Sequence, residues 1–138
     1  MLRKQIRCLR KLIDDNRGAL FLVEGKNDSK VLAELGLKNI ISISGASLNR
    51  VVERAERMRE KPSSIVILTD FDKEGNEIAK RLEAMLRPSA FRINTKARKL
   101  FRKLMSVMNI EEFDPQIIND ERHEKEMNTR AFSNKKKS

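Results

Sequence analysis

Two apolar runs in the 138-residue chain end in acids. Ala19-Leu20-Phe21-Leu22-Val23 runs into Glu24-Gly25, and Ile65-Val66-Ile67-Leu68-Thr69 runs into Asp70-Phe71-Asp72. Asp70 and Asp72 are two apart, so in extended chain both project to one side and Phe71 to the other. If the two runs are neighbouring strands, Glu24 faces that pair and three carboxylates converge. Like charges placed so repel, and a cation is the natural compensation. An all-oxygen donor set suits a hard ion such as Mg²⁺, which keeps its own waters and bridges to phosphate. Taken singly, these acids have plainer readings. Asp72 could simply cap the helix that follows, and Asp28 could sit in the first turn of its own helix. Strand-end Glu24, together with the glycine turns at Gly25 and Gly75, favours a site.

Those acids need a scaffold that brings strand ends together. Leu2, Ile6, Leu9 and Ile13 recur at helical spacing between basic residues, and the helix they predict stops near Asn16 and Gly18. Residues 19–23 form a continuous apolar run, as in a strand buried on both faces. A short helix follows Asn27 and ends at Gly36. A second strand surrounds Ile40 and Ile41, and Ser47 is a candidate N-cap for a helix striped by Leu48, Val51, Val52, Ala55 and Met58. The third strand is residues 64–69. A helix from near Glu74 stops before Pro88, a fourth short strand covers residues 90–93, and Asn94 or Thr95 caps a last helix carrying Ala97, Leu100, Phe101, Leu104, Met105 and Met108 on one face. Alternating strands and helices predict an α/β fold, a four-stranded parallel sheet with helices on both faces. Sites in such sheets form at the carboxyl ends of strands. Glu24 meets Asp70 and Asp72 only if the first and third strands are adjacent, and right-handed crossovers then give the order 2-1-3-4. The expected divisions are a basic N-terminal helix (1–17), the α/β domain (18–109), an acidic segment (110–127) and a basic, disordered tail (128–138).

Thirty Lys and Arg against twenty Asp and Glu leave a net charge of +10. The excess is uneven: residues 87–104 hold seven basic residues and no acid. A polyanion is the partner such a stretch implies, and Arg92, Lys96, Arg98, Lys99, Arg102 and Lys103 are its candidate contacts. The alternative is a solvated face. Charged residues make up 36% of the chain, a richness that fits a hot-adapted protein. Cys8 is the single cysteine, which excludes an internal disulfide and a multi-cysteine zinc site. No apolar window reaches the roughly eighteen residues of a membrane span, and no secretory signal is evident. A cytoplasmic protein is expected. His123, alone in a polar acidic stretch, and Phe132, beside the basic tail, carry no assigned role. Cys8 is expected to be partly buried.

The two acidic motifs give the sequence a resemblance. Val23-Glu24-Gly25-Lys26-Asn27-Asp28 and Asp70-Phe71-Asp72-Lys73-Glu74-Gly75-Asn76-Glu77-Ile78-Ala79 resemble the glutamate motif and the Asp-x-Asp motif of the Toprim domain, which topoisomerases, bacterial-type primases, some nucleases and small stand-alone proteins share. Ser44-Gly45-Ala46-Ser47 is similar to the glycine turn of primase-like members. The resemblance covers residues 18–93. It is strongest to the small stand-alone Toprim proteins of archaea and bacteria and to the catalytic part of the 5S rRNA maturation nuclease. Phe71 departs from the proline of many relatives, at a position that points away from the acids. The resemblance implies a Toprim-like, Rossmannoid fold. It implies that Asp70 and Asp72 hold Mg²⁺, with Mn²⁺ as a substitute, and that Glu24 ligates metal or acts as general acid/base at a phosphodiester. Asp28, Lys26 and Lys73 are candidate support for metal and phosphate. Gly25, Gly45 and Gly75 are expected to serve tight turns.

The chain has no tyrosine, so it lacks the nucleophile of a cleaving-rejoining topoisomerase. It has neither the length nor the cysteines of a full primase. The expected function is Mg²⁺-dependent phosphodiester chemistry on nucleic acid, by a small nuclease acting on structured RNA, with RNA favoured over DNA. The alternative is a non-catalytic, metal-binding subunit of a larger RNA-processing or ribosome-linked complex. A small-molecule phosphotransferase would leave the basic flanks unused.

Overall fold

The computed structural model of the chain describes residues 2–108. The acidic segment, the basic tail, His123, Phe132 and the side chains of Met105 and Met108 lie outside the described residues.

The elements are α1 (Leu2–Asp15), β1 (Leu20–Val23), α2 (Lys26–Glu34), β2 (Ile40–Ser42), α3 (Leu48–Glu56), β3 (Ile65–Leu68), α4 (Lys73–Leu86), a single 3₁₀ turn (Arg87–Ser89) and α5 (Thr95–Met108). The sheet is parallel, in the order β2-β1-β3. β1 is central, which explains why every one of its residues is apolar and buried. Its side chains alternate between two cores. Phe21 and Val23 join Ile6, Leu9, Ile13, Leu32 and Phe101 on the face covered by α1, α2 and α5. Leu20 and Leu22 join Val51, Val52, Leu82 and Leu86 on the face covered by α3 and α4. Phe21 and Phe101 meet edge to face with centroids 5.9 Å apart, a favoured aromatic geometry that seats α5 on the sheet. The basic helix α1 packs against α5 through its apolar stripe.

Two expectations need correction. The fourth strand shrinks to one parallel bridge, Ile65 with Ile93. Ala90 turns the chain with a left-handed backbone (φ 60°), and Asn94 already starts α5 by accepting from Ala97 N at 2.9 Å, so only residues 91–93 remain to pair. Cys8 is exposed, because it lies on the water side of α1.

Candidate active site at the carboxyl edge of the sheet

β1 and β3 pair in register from Leu20 with Ile65 to Val23 with Leu68, so both strands stop at the same level. The residues just beyond them are therefore neighbours. Glu24 reaches across this edge, and its Oε1 accepts from Asp70 N at 3.0 Å. Asp70 is exposed, while Thr69 beneath it is fully buried and donates from Oγ1 to Gly75 O at 2.7 Å. Phe71 turns the other way and packs on the α1–α2–α5 core. Asp72 is the N-cap of α4: its Oδ1 accepts from Gly75 N at 2.7 Å. Asp28 likewise serves α2, with Oδ2 accepting from Gly25 N at 3.3 Å. The capping roles of Asp72 and Asp28 are thus real, and Asp72 fills its role at the same edge as Glu24 and Asp70.

Lys26 and Lys73 are exposed at the first residues of α2 and α4, the two helices that start from this edge. Gly25 caps α2 in an extended conformation, and Gly45 makes the turn after β2 with φ +71°. Asp28, Asp70 and Asp72 line one cavity of ≈ 400 Å³ whose other walls include Leu9, Leu68 and Phe101.

The electrostatics of Glu24 record the crowding. Partial burial lifts its pKa above the usual carboxylate value; the bond from Asp70 N works the other way, and the Asp70 and Asp72 carboxylates lift it again. Glu24 therefore holds a proton more readily folded than unfolded. The stability this contributes is full below the unfolded pKa and is lost as pH rises through the folded one. Glu24→Gln keeps an acceptor for Asp70 N and removes the charge. In the metal-free protein it is expected to melt higher than wild type at neutral pH and to lose that advantage at about pH 3.5, below the ordinary carboxylate range. A Tm difference that ignores pH would contradict this environment for Glu24.

Among the described residues, no three histidine, cysteine or carboxylate side chains stand close enough to cage an ion by themselves. The expected three-carboxylate convergence is incomplete because Asp72 is turned to cap α4. The donor set still fits Mg²⁺, which is commonly bound through one or two carboxylates plus waters and substrate phosphates. Asp70 is the carboxylate placed to hold it, with Glu24 and Asp72 adding negative charge beside it.

Among the candidate phosphate contacts, Arg92, Lys96, Lys99, Arg102 and Lys103 are exposed. Arg98 differs. Its guanidinium is turned inward onto the end of β3, where Nη1 donates to Ile67 O and Thr69 O, each at 2.9 Å. Burial lowers its pKa, as does nearby Arg102, while Glu24 opposes the change. Reading Arg98 from the sequence as one of a basic run missed this role, as it missed Thr69 and Asn76, whose polar side chains lie beside or within the second acidic motif but were given no part in the site.

A strand-end glutamate beside an Asp-x-Asp loop on the adjacent parallel strand is the arrangement that the resemblance to the Toprim domain implied. The family model for the Toprim domain matches residues 19–104, and the chain belongs to that family. Within it, the chain is similar to a group of small archaeal proteins, each called "UPF0292 protein". It is 33% identical to the one from Thermococcus sibiricus over 107 residues, 75% of this chain and 82% of that protein. It is 36% identical to the one from Thermococcus gammatolerans over 88 residues, 63% of this chain and 62% of that protein. It is 38% identical to the one from Thermococcus kodakarensis over 99 residues, 69% of this chain and 71% of that protein. Among solved structures, a "putative protein from Aquifex aeolicus" superposes with a TM-score of 0.59 at 30% identity, covering 75% of this chain and 90% of that one. Toprim membership suggests a metal-dependent function on nucleic acid, with a divalent ion such as Mg²⁺. Among the described residues, no helix is long and apolar enough to cross a membrane.

Proposed function

We propose that this protein is a small Mg²⁺-dependent nuclease acting on structured RNA. One observation carries the reading: Glu24 is held on the backbone of Asp70, at the shared end of β1 and β3, with its pKa raised by partial burial and by the Asp70 and Asp72 carboxylates. A carboxyl group shifted upward in this way is better matched to moving a proton near neutral pH. Glu24 then serves as general acid/base at the phosphodiester, and Asp70, with Asp72 beside it, holds the metal. When bound, the ion polarises a phosphoryl oxygen and stabilises charge on the attacking and leaving oxygens. Lys26 and Lys73 supply point charges for flanking phosphates, and the N-terminus of α4 favours an anion beside them. The test is incubation of the protein with structured RNA, unstructured RNA and DNA, in Mg²⁺, in Mn²⁺ and in chelator. Cleavage of structured RNA in metal alone is the expected result. No cleavage of any substrate in either metal overturns the reading.

The engagement of Asp72 as a helix cap favours a second reading, a metal-binding subunit that docks on RNA without cutting it. Co-purification from native extract, with and without nuclease treatment, separates the two. In both readings α5 supplies the RNA surface. Lys96, Lys99 and Arg102 are exposed on a helix whose other side is buried through Ala97 and Phe101. Replacing all three by alanine is expected to flatten the dependence of log K on log salt by about 2 for single-stranded RNA, at roughly 0.7 per phosphate. An unchanged slope would remove this helix as a phosphate track.

A further inference from the structure

Among the described residues, the outer edge of β3, away from β1, has no full partner strand. Ile65 on that edge is served by the single bridge: its N–H donates to Arg92 O at 2.7 Å, and its carbonyl accepts from Asn94 N at 2.8 Å. Backbone groups of alternate residues turn to the same edge, so Ile67 and then Thr69 present the next carbonyls there. A continuing fourth strand would meet them with backbone N–H groups. The chain instead leaves the sheet at Asn94 to begin α5, and buried carbonyls left unmet are costly.

Arg98, in the first turn of α5, fills the gap with its side chain. Nη1 donates to Ile67 O and Thr69 O, both at 2.9 Å. Nη2 donates to Asp70 O at 3.2 Å and to Asn76 Oδ1 at 2.9 Å. The guanidinium also lies over the Phe71 ring, 4.9 Å from its centroid. Two nitrogens thereby tie three successive stations along the edge to the first turns of α4. Only a planar fork of donors does this; a lysine ammonium has no such fixed spread.

We propose that Arg98 is the positioning residue of the acidic edge. Its side chain stands in for the missing fourth strand and fixes the backbone at residues 69–71, whose Asp70 N–H holds Glu24. Because Arg98 belongs to α5, it also sets the exposed cations of that helix at a constant distance from the acids. The activity arm of the test rests on the nuclease reading; the exchange arm needs neither metal nor nucleic acid.

The experiment compares wild type, Arg98→Lys and Asn76→Ala by amide hydrogen exchange, by Mn²⁺ binding and by steady-state cleavage. In Arg98→Lys the Asp70 amide is expected to exchange at least tenfold faster, while the Leu22 and Val66 amides stay within twofold of wild type. Mn²⁺ affinity falls, and kcat drops with KM little changed. Asn76→Ala removes one of the four guanidinium bonds and also the Asn76 Nδ2 bond to Phe71 O at 3.4 Å, and moves Asp70 the same way by less. Asn76→Asp, which keeps an acceptor for Arg98 and loses only the bond to Phe71 O, is its control and leaves Asp70 exchange within twofold of wild type. Equal acceleration of Asp70 and the core amides would show a merely structural role and overturn the proposal. So would unchanged Asp70 exchange in both Arg98→Lys and Asn76→Ala. If Arg98→Lys does not fold, Asn76→Ala decides by the same comparison. A wild type that cuts nothing ends the nuclease reading and leaves the exchange result standing.

Discussion

Asp70→Asn is expected to lower cleavage at least a hundredfold while leaving the fold intact. The substitution keeps the side chain's shape and the backbone N–H that holds Glu24, and removes one negative charge from the edge. Groups that only support a metal ligand are worth ~10–100-fold, so the loss of a ligand itself should exceed that range. Stability moves the other way. The Asp70 and Asp72 carboxylates repel that of Glu24 in the metal-free protein, an effect that solvent screening keeps small at this exposed edge. The metal-free variant should therefore melt at or above the wild-type temperature. Mg²⁺ at a hundred times its Kd stabilises a single-site protein by about 2.7 kcal/mol, several degrees of Tm. Wild type should show that shift, and Asp70→Asn should not. Melting both proteins with and without Mg²⁺, beside the cleavage assay, checks all three statements. A variant that still shifts and still cuts would take Asp70 out of the site. A wild type that shifts without cutting would favour the non-catalytic subunit.

Gly75→Ala is expected to destabilise the protein by about 3 kcal/mol or more, at the upper end of what overpacking costs. The usual expectation has the opposite sign, because alanine is better than glycine in a helix interior by ~1 kcal/mol. The reversal comes from the crossing of α4 over the acidic loop. A Cβ at Gly75 would sit 1.9 Å from Asp70 O, and that oxygen belongs to backbone held in place by Arg98. Gly75 is also fixed on both sides, since its N–H donates to Asp72 and its carbonyl accepts from Thr69. Neither partner can retreat without moving Asp70. Urea unfolding of the variant measures the loss, and Mg²⁺-dependent melting should show a smaller shift than wild type. A Gly75→Ala protein as stable as wild type would mean that the loop and α4 are farther apart than described. The glycine of the second acidic motif is thus a steric requirement of the fold, and its effect on the site is indirect.

The sequence by itself determined the elements and the rim of the site. Apolar stripes at helical spacing place α1, α3 and α4, and continuous runs place β1 and β3, because burial on one or two faces is written directly into the periodicity. Ser47, Asp72 and Asn94 cap the helices that their positions foretell, each accepting from the backbone three residues on, since a cap is a local bond. Acids at the ends of two strands were enough to expect β1 beside β3. The fourth strand, the turn of Asp72 toward α4 and the work of Arg98 were decided only by the tertiary structure. Arg98 sits in a run of cations that reads as one uniform surface. Its orientation depends on Ile67 and Thr69 carbonyls some thirty residues earlier in the chain, left without a strand among the described residues because the chain turns into α5 at Asn94. Which backbone groups go unpaired depends on where strands meet and stop. Side-chain periodicity reports only which faces are buried, so no local pattern around Arg98 could reveal the edge it serves.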